Sequence, residues 1–416
     1  MAKSSDVTVP LGIPNVRVLE TEINKQGEVI ITVESTKQGT SCRECRAWIT
    51  KLHGHDQWVK VRHLPVFGRP TYLRYRPRRY RCEHCEQKPT TTEQLDWHAK
   101  NNLHTYAYDE HILLQLINSK IEDVSIKEGL SYDRVLGTVE RCISSEVEWR
   151  RFSSLETLGI DEIAIKKGHR DFVSIVTGRL SGGRIVILGV LPGRKKATVI
   201  DFLRRIPIRL TKTIETVCCD MYEGYTEAVR AELPQAKIVV DRFHVTRYYH
   251  KAADKFRQSE LKRLKKELPA EAYQKLKGNM WAFRKKKADC TPAERKTLQH
   301  LFRLAPALKQ AYVLREQLTK IFNSQLSKSD GKKALRSWIS KVERSGLTCF
   351  DEFIKTLQNW LEEISNYFIK RDTSGFVEGF NNKVKVLKRR CYGIFNLTHL
   401  YQRIFLDVEG YRLYAY

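Results

Sequence analysis

Apolar and polar positions alternate along this chain with two different periods, and the change from one to the other marks its organisation. Two short apolar runs near the middle each end in an aspartate: Val217-Cys218-Cys219-Asp220 and Ile238-Val239-Val240-Asp241. Both are too short for helices, and the second is rich in β-branched residues, so both are expected to be buried strands. A helical pattern at 225–233 separates them, which predicts a right-handed crossover and a parallel pair. Upstream, strands are expected at 158–165, 171–177 and 184–191 as a meander, followed by a helix at 198–205. In open α/β sheets ligands gather at the carboxyl ends of parallel strands, so the two aspartates face a candidate site.

The flanking regions differ. Runs at 16–19 and 29–33 enclose a polar stretch with Gln26-Gly27 and predict a hairpin with a longer loop. Residues from about 108 to 147 carry three helical patterns. Gly129 marks a turn, Ser131 a cap, and Val135, Val139 and Cys142 an apolar stripe, the layout of a helix-turn-helix. Its second helix, with Tyr132 and Arg134 at its start, is expected to enter the major groove. From about 245 to 370 the pattern is almost wholly helical and very basic, as in Leu261-Lys262-Arg263-Leu264-Lys265-Lys266. Beyond it, Phe380, Val384, Leu387 and Cys391 form one apolar helical stripe, while Glu378, Asn382, Lys385 and Arg389 share a polar face.

Charge sharpens this picture. Among 416 residues, Lys plus Arg number 74 against 48 for Asp plus Glu, a net charge of +26. Such an excess points to a polyanionic partner, most simply nucleic acid. No apolar run approaches the ~18 residues that span a bilayer, and no signal core follows the N-terminus, which predicts an intracellular protein without a membrane partner. A phosphate-binding glycine loop is absent: Gly331-Lys332-Lys333 lacks the upstream glycine, so ATP-driven chemistry is not indicated.

Ten cysteines in an intracellular chain do not suggest a disulfide framework. Cys42, Cys45, Cys82 and Cys85 form two CxxC pairs, the number of soft ligands that one tetrahedral zinc takes. His53, His55, His63 and His84 lie close enough in sequence to replace a thiolate. The run Arg74-Tyr75-Arg76-Pro77-Arg78-Arg79-Tyr80-Arg81 mixes basic and aromatic side chains, which suits phosphate contact at Arg78 and Arg79 and equally suits a solvated strand face.

Asp161 interrupts an apolar strand, and a buried, unpaired carboxylate there is costly. If the first and fourth strands are neighbours, Asp161 and Asp220 lie side by side, and Glu378 on a returning helix completes a set of hard oxygen ligands for magnesium or manganese. Each acid also has a plainer reading: a salt bridge to Lys166, a helix cap and a surface glutamate, respectively.

Taken together, these motifs resemble the ISL-three group of insertion-sequence transposases, a branch of the DDE transposases. The resemblance rests on the four-cysteine module, the helix-turn-helix, Gly159-Ile160-Asp161-Glu162, Asp220-Met221-Tyr222, Asp241-Arg242-Phe243-His244 and Glu378-Gly379-Phe380-Asn381-Asn382-Lys383-Val384-Lys385. It implies an α/β fold, a ribonuclease-H-like catalytic domain with an all-helical insertion, preceded by a zinc-binding module and a helix-turn-helix. It implies that Asp161, Asp220 and Glu378 hold two magnesium or manganese ions, with one structural zinc on the cysteines. Asp241, His244, Asn382 and Lys385 are then accessory to the site, and Lys388 and Arg389 join Tyr132, Arg134, Arg78 and Arg79 as DNA contacts. The expected parts are a strand segment at 1–37, the zinc module at 38–100, the helix-turn-helix at 101–150, the catalytic domain at 151–245 and 372–416, and the basic insertion at 246–371. The expected activity is metal-dependent cleavage and transfer of DNA strands in a bacterial cytoplasm, on terminal inverted repeats and target DNA, by a homo-oligomer. A DNA-binding regulator without catalysis and a structure-specific nuclease are the alternatives.

Overall fold

The structure, a computed structural model, describes residues 10–164, 172–240, 242–276, 279–371 and 375–415. The side chains of Phe243, Asn279 and Glu378 also lie outside this description, as does Lys166, the alternative partner for Asp161. The chain divides into two units, Met1–Ile143 with Leu406–Tyr416, and Ser144–Phe405.

The first unit opens with the expected hairpin, β1 (Val16–Ile23) and β2 (Val29–Ser35), paired antiparallel. Short strands β3 (Thr40–Ser41), β4 (Trp48–Ile49) and β5 (Leu52–His55) follow, then β6 (Val59–Val66), β7 (Arg69–Tyr75), β8 (Arg78–Arg81) and β9 (Thr90–Thr92). One sheet has the order β1-β2-β7-β6, and β2 runs parallel to β7. The strand segment before residue 37 thus shares a sheet with residues that follow the first CxxC pair. Ile31, Val33, Val61, Leu73 and Trp97 are buried together as its core.

Three helices complete this part: α1 (Tyr106–Leu116), α2 (Ile121–Glu128) and α3 (Tyr132–Cys142). Gly129 ends α2 at φ +62°, a left-handed conformation that glycine adopts without a Cβ penalty. Ser131 caps α3 by accepting the Arg134 N–H. Val135, Thr138 and Val139 form the buried stripe, whereas Cys142, expected within it, is exposed. The helices meet at a buried carboxylate, Asp109, which accepts from His104 Nδ1, Asn102 Nδ2 and Arg141 at 2.9 Å each and from Thr138 Oγ1 at 3.3 Å.

The second unit contains the expected meander, β10 (Thr157–Ala164), β11 (Phe172–Arg179) and β12 (Ile185–Pro192). Helices α4 (Lys196–Arg204) and α5 (Ile208–Thr211) lead to β13 (Thr216–Cys219), and α6 (Glu223–Glu232) leads to β14 (Lys237–Val240). The strand order is β12-β11-β10-β13-β14, with β10, β13 and β14 parallel to one another. Three antiparallel strands continued by two parallel ones are the ribonuclease-H-like arrangement. Leu158 and Ile160 belong to the core that α4 and α6 supply through Val199, Leu203, Ala228 and Val229. Strand alternation turns Gly159 and Asp161 to the other face.

Nine helices among the described residues then carry the chain from 242 to 370. They are α7 (Arg242–Glu267), α8 (Ala270–Gln274), α9 (Asn279–Arg284), α10 (Pro292–Leu304), α11 (Pro306–Asn323), α12 (Lys328–Arg344), α13 (Asp351–Asn359), α14 (Leu361–Ser365) and α15 (Tyr367–Lys370). Their core is aromatic: Tyr249 stacks on Phe350 at 4.6 Å between ring centroids and meets Trp338 edge-on. The basic run is partly consumed within the fold, since Arg263 pairs with Glu260 and Glu267, Arg284 with Asp254 and Lys285 with Glu294. Helices α16 (Gly375–Arg390) and α17 (Leu397–Tyr414) close the chain. Among the described residues no helix is long and apolar enough to cross a membrane.

Candidate functional site

Register brings the two aspartates together. The last pair of the β10–β13 ladder is Ile160 with Cys219, so Asp161 and Asp220 occupy the next position on adjacent parallel strands. Each aspartate Oδ1 accepts the backbone N–H that follows it, from Glu162 at 2.7 Å and from Met221 at 2.6 Å.

Helix α16 lies on the same face as Asp161, and Gly159 is what lets it approach. A Cβ at residue 159 would stand 2.3 Å from Val377 Cγ2 and 2.6 Å from Thr177 Oγ1. Four residues after Val377, Asn381 Nδ2 donates to Asp161 Oδ2 at 2.5 Å. Further along, the Lys388 ammonium donates to the Ala164 carbonyl. Strand and helix therefore run in step, because a strand advances about twice as far per residue as a helix. Glu378 belongs to this helix between Val377 and Asn381; its side chain, like the whole of Asp241, lies outside the described residues.

His244, on the first turn of α7, brings Nδ1 to 2.9 Å from Asp220 Oδ1. The two carboxylates consequently differ. Burial pushes the Asp161 carboxyl above its usual range, the negative charge of Asp220 adds to this, and the Glu162 N–H, His244 and Asn381 offset it only in part. Burial also opposes ionisation of Asp220, but His244, the Met221 N–H and Arg247 outweigh it and hold the group below the usual range. Two adjacent hard carboxylate oxygens, one of them undercompensated, fit a divalent cation such as magnesium or manganese.

The remaining expected residues fall into two groups. Asn382, Lys385 and Arg389 on α16, and Tyr132 and Arg134 on α3, are exposed. Arg78, Arg79 and Lys388 are partly buried and engaged: Arg78 with Glu34 and the Lys37 carbonyl, Arg79 with Thr90, and Lys388 with Ala164. Asn381 is absent from the expected set. Its signal is a polar residue inside the apolar stripe, between Val377 and Val384 in helical spacing. Glu162 is absent from it too; on the opposite strand face from Asp161, it accepts from Arg194 and from the Tyr225 hydroxyl, each at 3.3 Å.

In the first unit the sulfurs of Cys42, Cys45, Cys82 and Cys85 all lie within 4.8 Å of one another. Cys42–Cys85 is 4.0 Å, Cys45–Cys82 3.7 Å and Cys82–Cys85 3.6 Å. Tetrahedral zinc with bonds of ~2.3 Å requires sulfur separations of ~3.8 Å, so the cluster fits it. Tight turns present the pairs, with the Arg46 and Lys88 N–H groups donating to the Cys42 and Cys85 carbonyls. The backbone N–H groups of Cys45 and Glu44 pull the Cys42 thiol down to about 6, while the neighbouring sulfurs and burial push Cys85 up to about 12. Four thiolates at this spacing repel one another unless a cation lies among them. His53, His55 and His84 are exposed and His63 bonds Thr105 instead, so the cluster of described residues is made of cysteines alone.

A family model described as "Transposase" matches residues 158–404, and one described as "zinc-finger of transposase IS204/IS1001/IS1096/IS1165" matches residues 38–85. The chain is similar to the transposase for insertion sequence element IS1001 of Bordetella parapertussis, 27% identical over 375 residues and 90% of each chain. It is also similar to the transposase for insertion sequence element IS1557 of Mycobacterium tuberculosis, 25% identical over 79% of this chain and 77% of the relative. Among solved structures, the Drosophila P element transposase strand transfer complex resembles it with a TM-score of 0.41 and 12% identity, over 76% of this chain and 93% of that one.

Proposed function

The chain belongs to the transposase family whose model matches residues 158–404, and from that premise we propose that Asp161, Asp220 and Glu378 hold the divalent cations for cutting and joining DNA strands. The observation that carries this reading is the pair of aspartates on adjacent parallel strands, with α16, the helix whose sequence includes Glu378, packed on the same face through Val377 and Asn381. Two magnesium or manganese ions bound there supply activation of a water or a 3′-hydroxyl and stabilisation of the leaving oxygen. The protein's own groups orient the ligands: His244 holds Asp220, and Asn381 with the Glu162 N–H holds Asp161. Asp241 is accessory on sequence grounds, and the exposed Asn382, Lys385 and Arg389 are available to phosphates.

End recognition is assigned to the first unit. One zinc on the four cysteines stiffens its module, and α3 presents Tyr132 and Arg134 to the major groove of the terminal inverted repeats. Arg78 and Arg79 serve mainly to tie strands together, so α3 carries more of this role than the expected basic run does. Two ends must be held at once to be joined to a target, so a homo-oligomer forms on DNA, in the bacterial cytoplasm where the element resides.

The test is an assay with element ends, target DNA and magnesium. Wild type cuts and joins; Asp161→Asn, Asp220→Asn and Glu378→Gln each lower product on the order of 10³-fold while end binding persists. Variants that cut like wild type would overturn the triad. Binding without cutting by wild type favours a regulator, and cutting without joining a nuclease.

A further inference from the structure

Asn381 is only 2% exposed and sits on the strand-facing side of α16. Its Nδ2 donates to Asp161 Oδ2 at 2.5 Å. Its Oδ1 is buried and has no hydrogen-bond partner among the described residues. Buried amide oxygens are almost always satisfied, and one left bare beside a carboxylate calls for a ligand. Reversing the amide does not help, since it would set its oxygen against an ionised carboxylate oxygen and leave two acceptors facing each other. With Nδ2 on Asp161, the amide oxygen remains as a neutral hard donor beside that carboxylate.

Packing fixes this orientation. Val377 and Val384, four residues before and three after, are buried at 1% and 2% exposure. The missing side chain at Gly159 admits Val377, and with it the whole turn that carries Asn381. Its sequence neighbour Asn382 is exposed and has no such position. Neutral amide oxygens are ordinary ligands of hard divalent cations, which also accept carboxylates.

We propose that Asn381 is both the positioning residue for Asp161 and a neutral oxygen donor to the divalent cation that Asp161 and Asp220 hold. This rests on the reading of the two aspartates as metal ligands given above. It assigns to α16 a metal-directed group besides Glu378, and it explains why an amide interrupts the apolar stripe of that helix.

Manganese binding to the zinc-loaded full chain without DNA, followed by the paramagnetic resonance of free Mn²⁺, tests the proposal apart from activity. Asn381→Ala is expected to weaken binding about 10- to 100-fold. Asn381→Ala that melts earlier yet binds Mn²⁺ as wild type does makes the residue merely structural and overturns the proposal. If Asn381→Ala fails to fold by circular dichroism, the similarly sized Asn381→Leu decides: folded protein that binds Mn²⁺ as wild type does overturns the proposal. Asp161→Asn separates the two readings. Loss of binding there with none in Asn381→Ala sinks this inference alone, whereas unchanged binding in Asp161→Asn sinks the aspartate reading along with it.

Discussion

Two aspartates drawn back from water, the buried Asp109 in one unit and the half-buried Asp161 in the other, show how differently one side chain can be compensated. Asp109 is 3% exposed, yet it is surrounded by donors from His104, Asn102, Thr138 and Arg141. Burial opposes its ionisation, but these partners outweigh burial and hold the carboxyl below the usual range. Among the described residues Asp161 receives one backbone N–H and one amide, and there burial wins and the carboxyl is pushed up. The charge at Asp109 is answered by its neighbours, whereas at Asp161 the described residues, His244 included, answer it only in part. A buried carboxylate with its counter-charge built in holds helices together; one without it is poised to take a cation.

The largest effect expected from this contrast is on stability. Asp109→Ala leaves His104 buried without its acceptor and is expected to cost about 3 kcal/mol, the lower end for a broken buried pair. The lower end applies because the Arg141 side chain is 42% exposed and can turn to water. Hydrogen exchange over residues 106–142 reads this loss locally. Asp161→Asn removes an undercompensated carboxylate and is expected to melt no earlier than wild type, while its cutting is expected to fall on the order of 10³-fold. If the two variants lose stability equally, the contrast fails.

A smaller effect tests how Asp161 obtains its only side-chain donor among the described residues. Gly159→Ala drives a methyl group into Val377 and Thr177, and overpacking of this kind costs about 1–3 kcal/mol. Relief requires α16 to retreat, which lifts Asn381 from Asp161, so strand cleavage should fall more than stability alone accounts for. Gly379→Ala, on the same helix with nothing within 4 Å of the added Cβ, is the control. It is expected to leave stability equal or raise it by up to ~1 kcal/mol. Denaturant unfolding of both variants, beside a cleavage assay, checks the pair.

What was legible in the sequence follows from how local each feature is. The four cysteines declare themselves through two CxxC spacings, each closed by its own turn, so their convergence needed little knowledge of the fold. The neighbourhood of Asp161 and Asp220 required strand order, and the rhythm of three strands, helix, strand, helix, strand supplied it. Asn381 stays hidden because polarity divides the helix: Glu378, Asn382, Lys385 and Arg389 make an obvious polar face, and an asparagine within the apolar stripe does not stand out beside it. Asp109 is hidden for the opposite reason. In sequence it is an ordinary acid in the first turn of a helix, and its four partners are visible only once α1 and α3 pack and the loop before α1 folds back. The basic runs mislead in a third way, since charge along a helix does not reveal that Arg263, Arg284 and Lys285 are spent on nearby acids.

The smallest and sharpest test of the contrast is its pH dependence. Because the folded-state pKa of Asp109 is depressed, its contribution is fully present above the unfolded carboxyl value of ~3.9 and is lost as pH falls through the lower folded value. The stability difference between wild type and Asp109→Asn should therefore be flat between about pH 5 and 7 and shrink below about pH 4. Taking the difference matters, because Glu128, held below its usual range by His111 and Tyr108, titrates in the same acid window in both proteins. Its contribution cancels to the extent that the two sites act independently. Hydrogen exchange at the helices of the first unit, followed as pH is lowered, gives the measurement. A difference that grows in acid would mean that the folded chain raises the Asp109 value, as it does that of Asp161, and the contrast between the two would fall.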